Sequence, residues 1–262
     1  MTRLSREGGF TMVELLVTIA ILGMVAGAVF TVYQVFQQTY TRASGLEDAQ
    51  LGVRAGLDRM ATELRLAGAY YTGASNAGAA ITAATSTSIT FLGDIDADTL
   101  SSAGAEVLLS NAAASGANQI VVDRATGFSA SEYVHIANGA FREARQIVST
   151  YTAGNTTIPL ATGTTLTRAY PANSIVRSVE SVTYSYDSSA KTLTRSLNAG
   201  TAEIVVDNVY GLTFTYYKTD GTTTTTTAAD IYEIQIGLTT QGSDGSRRTL
   251  NSRVRPRNLG LS

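Results

Sequence analysis

The sequence predicts an α+β fold: a long N-terminal helix that spans a membrane through its first half, packs on antiparallel β-sheet through its second, and is joined by an all-β insertion. Three observations carry that expectation. Phe10 to Tyr33 is a run of 24 residues with one ionisable side chain, Glu14, and at about 1.5 Å per helical residue it crosses a hydrocarbon layer of roughly 30 Å. Beyond it Leu46, Val53, Leu57, Met60, Leu64 and Ala67 recur at spacings of three, four or seven, the period of an amphipathic helix. After Tyr71 the composition turns to Thr, Ser, Ala and Gly, with short alternating runs and no further helical period of useful length.

Taken in order, residues 1–9 form a polar leader in which Arg3 and Arg6 outnumber Glu7. Positive charge beside an apolar helix stays cytoplasmic by the usual rule, which places the remainder outside. Residues 10–33 are the expected membrane span, and a charge at mid-membrane depth costs about 2.5–3.5 kcal/mol, so Glu14 needs a partner. Residues 34–68 continue the helix, with Arg54, Asp58, Arg59, Glu63 and Arg65 between the apolar positions and Gly68 as the expected C-cap. Residues 69–262 are the β-rich domain. Val182, Tyr184 and Tyr186 alternate up to a turn over Asp187–Lys191, and Leu193-Thr194-Arg195 returns as a hairpin partner. Leu212–Tyr217 reads as a strand ending at Asp220-Gly221, the six threonines that follow as an exposed loop, and Tyr232–Leu238 as a half-buried strand. Strands over 119–123, 133–136, 145–150 and 157–160 make up the insertion expected at about 118–176.

Composition removes most catalytic chemistry. Cysteine is absent, and His135 is the single histidine. Thiolate metal sites, cysteine nucleophiles, histidine metal clusters and a Ser-His-Asp triad within the chain therefore lack their parts. With 17 Arg and 2 Lys against 21 acids the formal net charge is −2, so no global field draws nucleic acid or an anionic surface. Neither enzymatic activity nor a cofactor is expected.

The leader Arg6-Glu7-Gly8-Gly9 followed by Phe10-Thr11-Met12-Val13-Glu14-Leu15-Leu16-Val17 resembles the N-terminus of type IV prepilins and type II secretion pseudopilins. The resemblance implies a cut between Gly9 and Phe10 by a membrane-embedded prepilin peptidase, N-methylation of Phe10, and pairing of Glu14 with the terminus of a neighbouring subunit during assembly. Glycine before the scissile bond suits an extended backbone in a narrow site, because it brings no Cβ. A secretory signal competes: Ala26-Gly27-Ala28 fits a signal-peptidase site after a Leu15–Val25 apolar core. Against it, Glu14 opens the apolar stretch, which runs on through Val29, Phe30, Val32, Val35 and Phe36. A plain single-span anchor is the other bland reading.

Further along, Arg59–Gly68, Leu193-Thr194-Arg195, Val209–Tyr216 and Ser252–Leu259 look like segments of PilW-type minor pilins and their relative, minor pseudopilin J. This implies a minor pilin that primes assembly of a type IV pilus, sits in the tip complex and displays a surface suited to cell adhesion. Its partners would be major and minor pilin subunits, the prepilin peptidase and the inner membrane. It would be single-pass, leader cytoplasmic and C-terminal domain periplasmic, before reaching the tip at the cell surface. A minor pseudopilin of type II secretion and an anchored adhesin or ligand-binding β module are the alternatives.

Two further clusters stand out. Asp94, Asp96 and Asp98 alternate like the start of a calcium loop, but Thr99 occupies the glycine position and Ala105 the bidentate glutamate position, so a solvated turn is the expectation and calcium the weaker candidate. Arg247, Arg248, Arg253, Arg255 and Arg257 form the only basic cluster, expected on a terminal edge strand as a solvated face or subunit contact, with DNA a minor alternative. His135 is expected as a satisfied strand residue, and the 13 tyrosines as core and cross-strand packing.

Overall fold

The computed structural model describes residues 10–70, 80–99, 106–139, 141–242 and 245–258. The leader with Gly9, and also Tyr71, Ala105 and Leu259, lie outside the described residues, as does the side chain of Leu46. The architecture is α+β, and every strand pairing among the described residues is antiparallel.

Helix α1 runs from Met12 to Arg65, 54 residues and roughly 81 Å. It begins two residues later than expected because Thr11 is the N-cap: its hydroxyl takes the Glu14 N–H, and the Glu14 carboxylate takes the Thr11 N–H, a complete capping box. It stops before Gly68. Leu66 is the C-cap, with its N–H on the Glu63 carbonyl and the Ala67 N–H on that of Leu64, and the Gly68 N–H goes to Leu92 O, so pairing with the first sheet displaces the expected cap.

The next strands are β1 (Ile81–Ala84) and β2 (Ser88–Gly93), then the short β3 (Val107–Leu108) and β4 (Gln119–Val121). Strands β5 (Tyr133–Asn138) and β6 (Phe141–Gln146) form a hairpin, followed by β7 (Thr157–Pro159), which pairs with β4. Strand β6 lies upstream of the expected 145–150 because the turn at Gly139 (φ 59°) sets the register Asn138↔Phe141. The 13-residue β8 (Ile175–Asp187) is the spine of the largest sheet. Its first half pairs with β5 and β3, and its second half with β2 and with β9 (Thr192–Leu197), which carries β10 (Glu203–Val206). Asp187 turns the β8–β9 hairpin by accepting from the N–H groups of Ser189 and Ala190.

A second sheet is the meander β11 (Val209–Tyr217), β12 (Glu233–Gln241) and β13 (Arg247–Val254), whose last two strands pack on α1. The threonine run between β11 and β12 is largely exposed, but Thr225 is buried and bonds back to Tyr216 O. Strict alternation along β12 sends Ile234, Ile236, Leu238 and Thr240 inward. The three apolar ones meet Val53, Leu57, Met60 and Leu64 of the helix together with Val182, Tyr184, Leu212 and Phe214. Each such side chain contributes about 1.5–3 kcal/mol on burial. A second apolar cluster fills the block between β3 and β8, drawing Val107 and Leu109 from upstream of the expected insertion and Val176 from β8 itself.

Candidate functional site

Among the described residues, none covers the first half of α1. Met12–Tyr40, 29 residues, is long and apolar enough to cross a membrane, and none of its most apolar window is buried. Phe10 is 85% exposed beside the cap. Within the segment the polar side chains find partners on the helix itself: the hydroxyls of Thr18, Thr31 and Thr39 donate to the carbonyls four residues back, at 2.6, 2.9 and 2.8 Å. Such back-bonding leaves little polar surface for lipid to desolvate. Glu14 accepts from Thr11 N at 2.9 Å and Thr11 Oγ1 at 3.0 Å, both on Oε2. The cap thus uses one carboxylate oxygen and leaves Oε1 for a cation, one turn from the residue that would become the new terminus.

At the far end the helix is fixed to the sheet by charge. Glu63, assigned by its spacing to the polar side, is 8% exposed. Its Oε2 accepts from Tyr184 OH at 2.8 Å and Arg195 Nε at 2.9 Å, and Oε1 from Arg59 at 3.3 Å. Arg59 and Arg195 also both reach Glu203 of β10, at 2.7 and 3.4 Å. Burial, and then the Glu63 charge, push the Tyr184 phenol up, so it remains a donor. The sequence signal for this was faint: Glu63 lies three residues after Met60 and one before Leu64, at the border of the apolar stripe.

Residues 4–30 match the prokaryotic N-terminal methylation motif. The chain therefore carries a type IV prepilin-like start, which implies peptidase processing and a pilin-type assembly context, and the apolar helix is compatible with a membrane anchor. No curated protein and no solved structure matches the chain. Within this prepilin-like motif the structure describes residues 10–30, so Phe10, Thr11 and Glu14 have positions and Gly9 lies outside.

The aspartate triplet is not a solvated turn. Asp94 is 6% exposed and Asp98 half-buried, while Asp96 is exposed. Folding brings Glu180 of β8, which sequence spacing could not connect, to the same place: one oxygen each of Asp94, Asp96 and Glu180 lie within 4.8 Å of one another. Asp98 bonds Ser178 at 2.8 Å, and Glu132 accepts from Ser129 N and Asn198 Nδ2. Burial, reinforced by the neighbouring carboxylates, pushes the carboxyls of Asp98, Glu132 and Glu180 up to about 6, 7 and 8. Arg177 answers part of this charge, pairing with Asp94 at 3.5 Å and with Glu106 while lying on the Tyr70 ring at 3.8 Å.

The basic cluster is spread along an edge. Strand β13 ends at Val254, so Arg255 and Arg257 fall beyond the expected terminal strand, where Arg257 N–H caps the helix by bonding Arg65 O at 3.1 Å. Arg253 pairs with Glu233 at 3.0 Å and lies on Tyr217, Arg255 lies on Tyr232, and Arg247 on Tyr210. Several tyrosines thus serve as platforms for cations, beside the buried Tyr170, Tyr184 and Tyr216. His135 sits in β5 but is not satisfied: its buried Nε2 has no partner, and burial, then Arg142 and Arg177, hold its pKa down at about 4.

Proposed function

We propose that the chain is a minor pilin that helps prime assembly of a type IV pilus and takes a place in the tip complex. The observation that carries this reading is the prepilin-like motif at residues 4–30 on a helix whose apolar half has no cover among the described residues. Lipid covers that half before assembly, with the leader cytoplasmic and the β domain periplasmic, and the helices of other subunits cover it afterwards. After cleavage behind Gly9 the methylated ammonium of Phe10 is a cation at the edge of the apolar layer. Glu14 of a neighbouring subunit neutralises it through the oxygen the cap leaves over. Pairing acts as a register device, since a buried charge without a partner is penalised far more than a paired one is rewarded.

Support for the minor-pilin type is the convergence of the four distal segments that resemble PilW-type proteins: Leu64, Leu193, Leu212 and Val254, one from each, belong to a single core cluster. The same features suit a minor pseudopilin of type II secretion, so the deciding experiment is genetic. Deleting the gene should abolish or sharply reduce surface pili and leave protein export intact. Normal piliation with lost export would replace the reading with the pseudopilin one. Normal piliation and export, with lost adhesion, would favour an anchored adhesin.

A further inference from the structure

The loop after β2 and the middle of β8 bring together several carboxyl groups from distant parts of the chain. One oxygen each of Asp94, Asp96 and Glu180 lie within 4.8 Å of one another, and Asp98 of the same loop bonds Ser178 of β8 at 2.8 Å. Arg177 pairs with Asp94 and is shared with Glu106. His135 on the adjoining strand contributes no charge near neutral pH. Glu180 is the informative member. It is 1% exposed, its Oε2 accepts the Ile95 N–H at 2.7 Å, and its Oε1 is buried without any partner. A buried carboxylate oxygen left unpaired is costly unless a cation completes it. Thr99, 1% exposed in the same loop, also has an unpartnered hydroxyl.

The loop is held in shape around this group. Asp94 Oδ1 takes the Ala97 N–H at 2.8 Å and Asp96 Oδ1 the Asp98 N–H at 3.2 Å. Gly127 packs so closely that a Cβ there would come within 2.5 Å of Asp98 Oδ1. Hard oxygen donors suit calcium or magnesium and disfavour soft metals. The three oxygens lie within 4.8 Å of one another, and calcium, with flexible geometry and bonds of about 2.3–2.6 Å, adapts to such a set more readily than magnesium, which demands near-ideal octahedral geometry at about 2.0–2.1 Å.

We propose that Asp94, Asp96 and Glu180 bind one calcium ion, which ties the β2 loop to the β8 spine and completes the fold outside the cytoplasm. The site differs from a loop-encoded one in that its third carboxylate comes from a strand 84 residues beyond Asp96. An affinity in the range of extracellular modules, about 10⁻⁴–10⁻³ M, is sufficient for it to fill there.

The test uses the full chain in detergent micelles, stripped with EDTA and titrated with calcium chloride or magnesium chloride by calorimetry and thermal unfolding. Calcium should bind once and raise Tm with concentration, and magnesium should do so less. Asp96→Asn, at an exposed position that does not challenge folding, should weaken calcium binding at least roughly tenfold. Glu180→Gln should lose the calcium response while melting in EDTA at or above the wild-type temperature, because the amide can still accept the Ile95 N–H and places no carboxylate beside Asp94 and Asp96; a merely structural Glu180 would instead lower Tm with or without calcium. The proposal is overturned by an absence of calcium binding at millimolar concentrations, by unchanged affinity in Asp96→Asn, or by an equal or larger response to magnesium.

Discussion

Glu14 holds the helix start through Oε2, and under the proposed function that local bond is how an acid at the front of the apolar helix is tolerated before a neighbour arrives. Replacing it with Ala should leave cleavage behind Gly9 largely intact and lower incorporation into filaments on the order of tenfold, about 1.4 kcal/mol of lost pairing; immunoblots of sheared filaments read the difference. The acidic group around Glu180 makes a separate prediction about pH. The folded-state carboxyls of Glu132 and Glu180 lie at about 7 and 8, above the ordinary 4.5, so the folded protein binds more protons and stability falls as pH rises through those values. Depression of His135 works in the opposite direction, but only below its ordinary 6.5. In EDTA, Tm should therefore drop between pH 6.5 and 8, and Glu180→Gln should flatten that drop; a Tm that rises over the interval would contradict the burial of these acids.

At the scale of elements, α1 is held to the sheet by an apolar stripe and by one ionic knot. Glu63→Ala would strand Arg195 and the Tyr184 phenol in a buried site, at about 3 kcal/mol, the lower end for breaking a buried pair. Tyrosine fluorescence during urea unfolding of the micelle-bound chain would record it, and a loss under 1 kcal/mol would show the knot to be dispensable. Gly56→Ala gives a counterintuitive case. Alanine favours a helix, yet a Cβ at this position collides with the Val206 side chain of β10, so a net loss of about 1–3 kcal/mol is expected on the same assay. The helix and its buried face were legible in Val53, Leu57, Met60 and Leu64, because period 3.6 is a local property. So was the β8–β9 hairpin, through alternation and the Asp187 turn. Glu63 and Glu180 were not, since their partners lie 121 and 85 residues away in the chain and only the sheet brings them together.

For the whole molecule, the two halves of α1 have different surroundings. The first half of α1 is exposed among the described residues and carries the prepilin-like motif, whereas its second half shares one core with the β-rich remainder. The N-terminal motif was legible in full, because leader, glycine, phenylalanine and acid lie within a dozen residues and carry their meaning without tertiary contacts. The role of the β domain is written in surface shape and pairing, which no short spacing encodes. The account stands on processing at the front of the helix. Mass spectrometry of the mature protein extracted from membranes tests this most directly: a terminus at N-methylated Phe10 is the expected result, and an intact Met1, or a start at Val29 after Ala28, would contradict it.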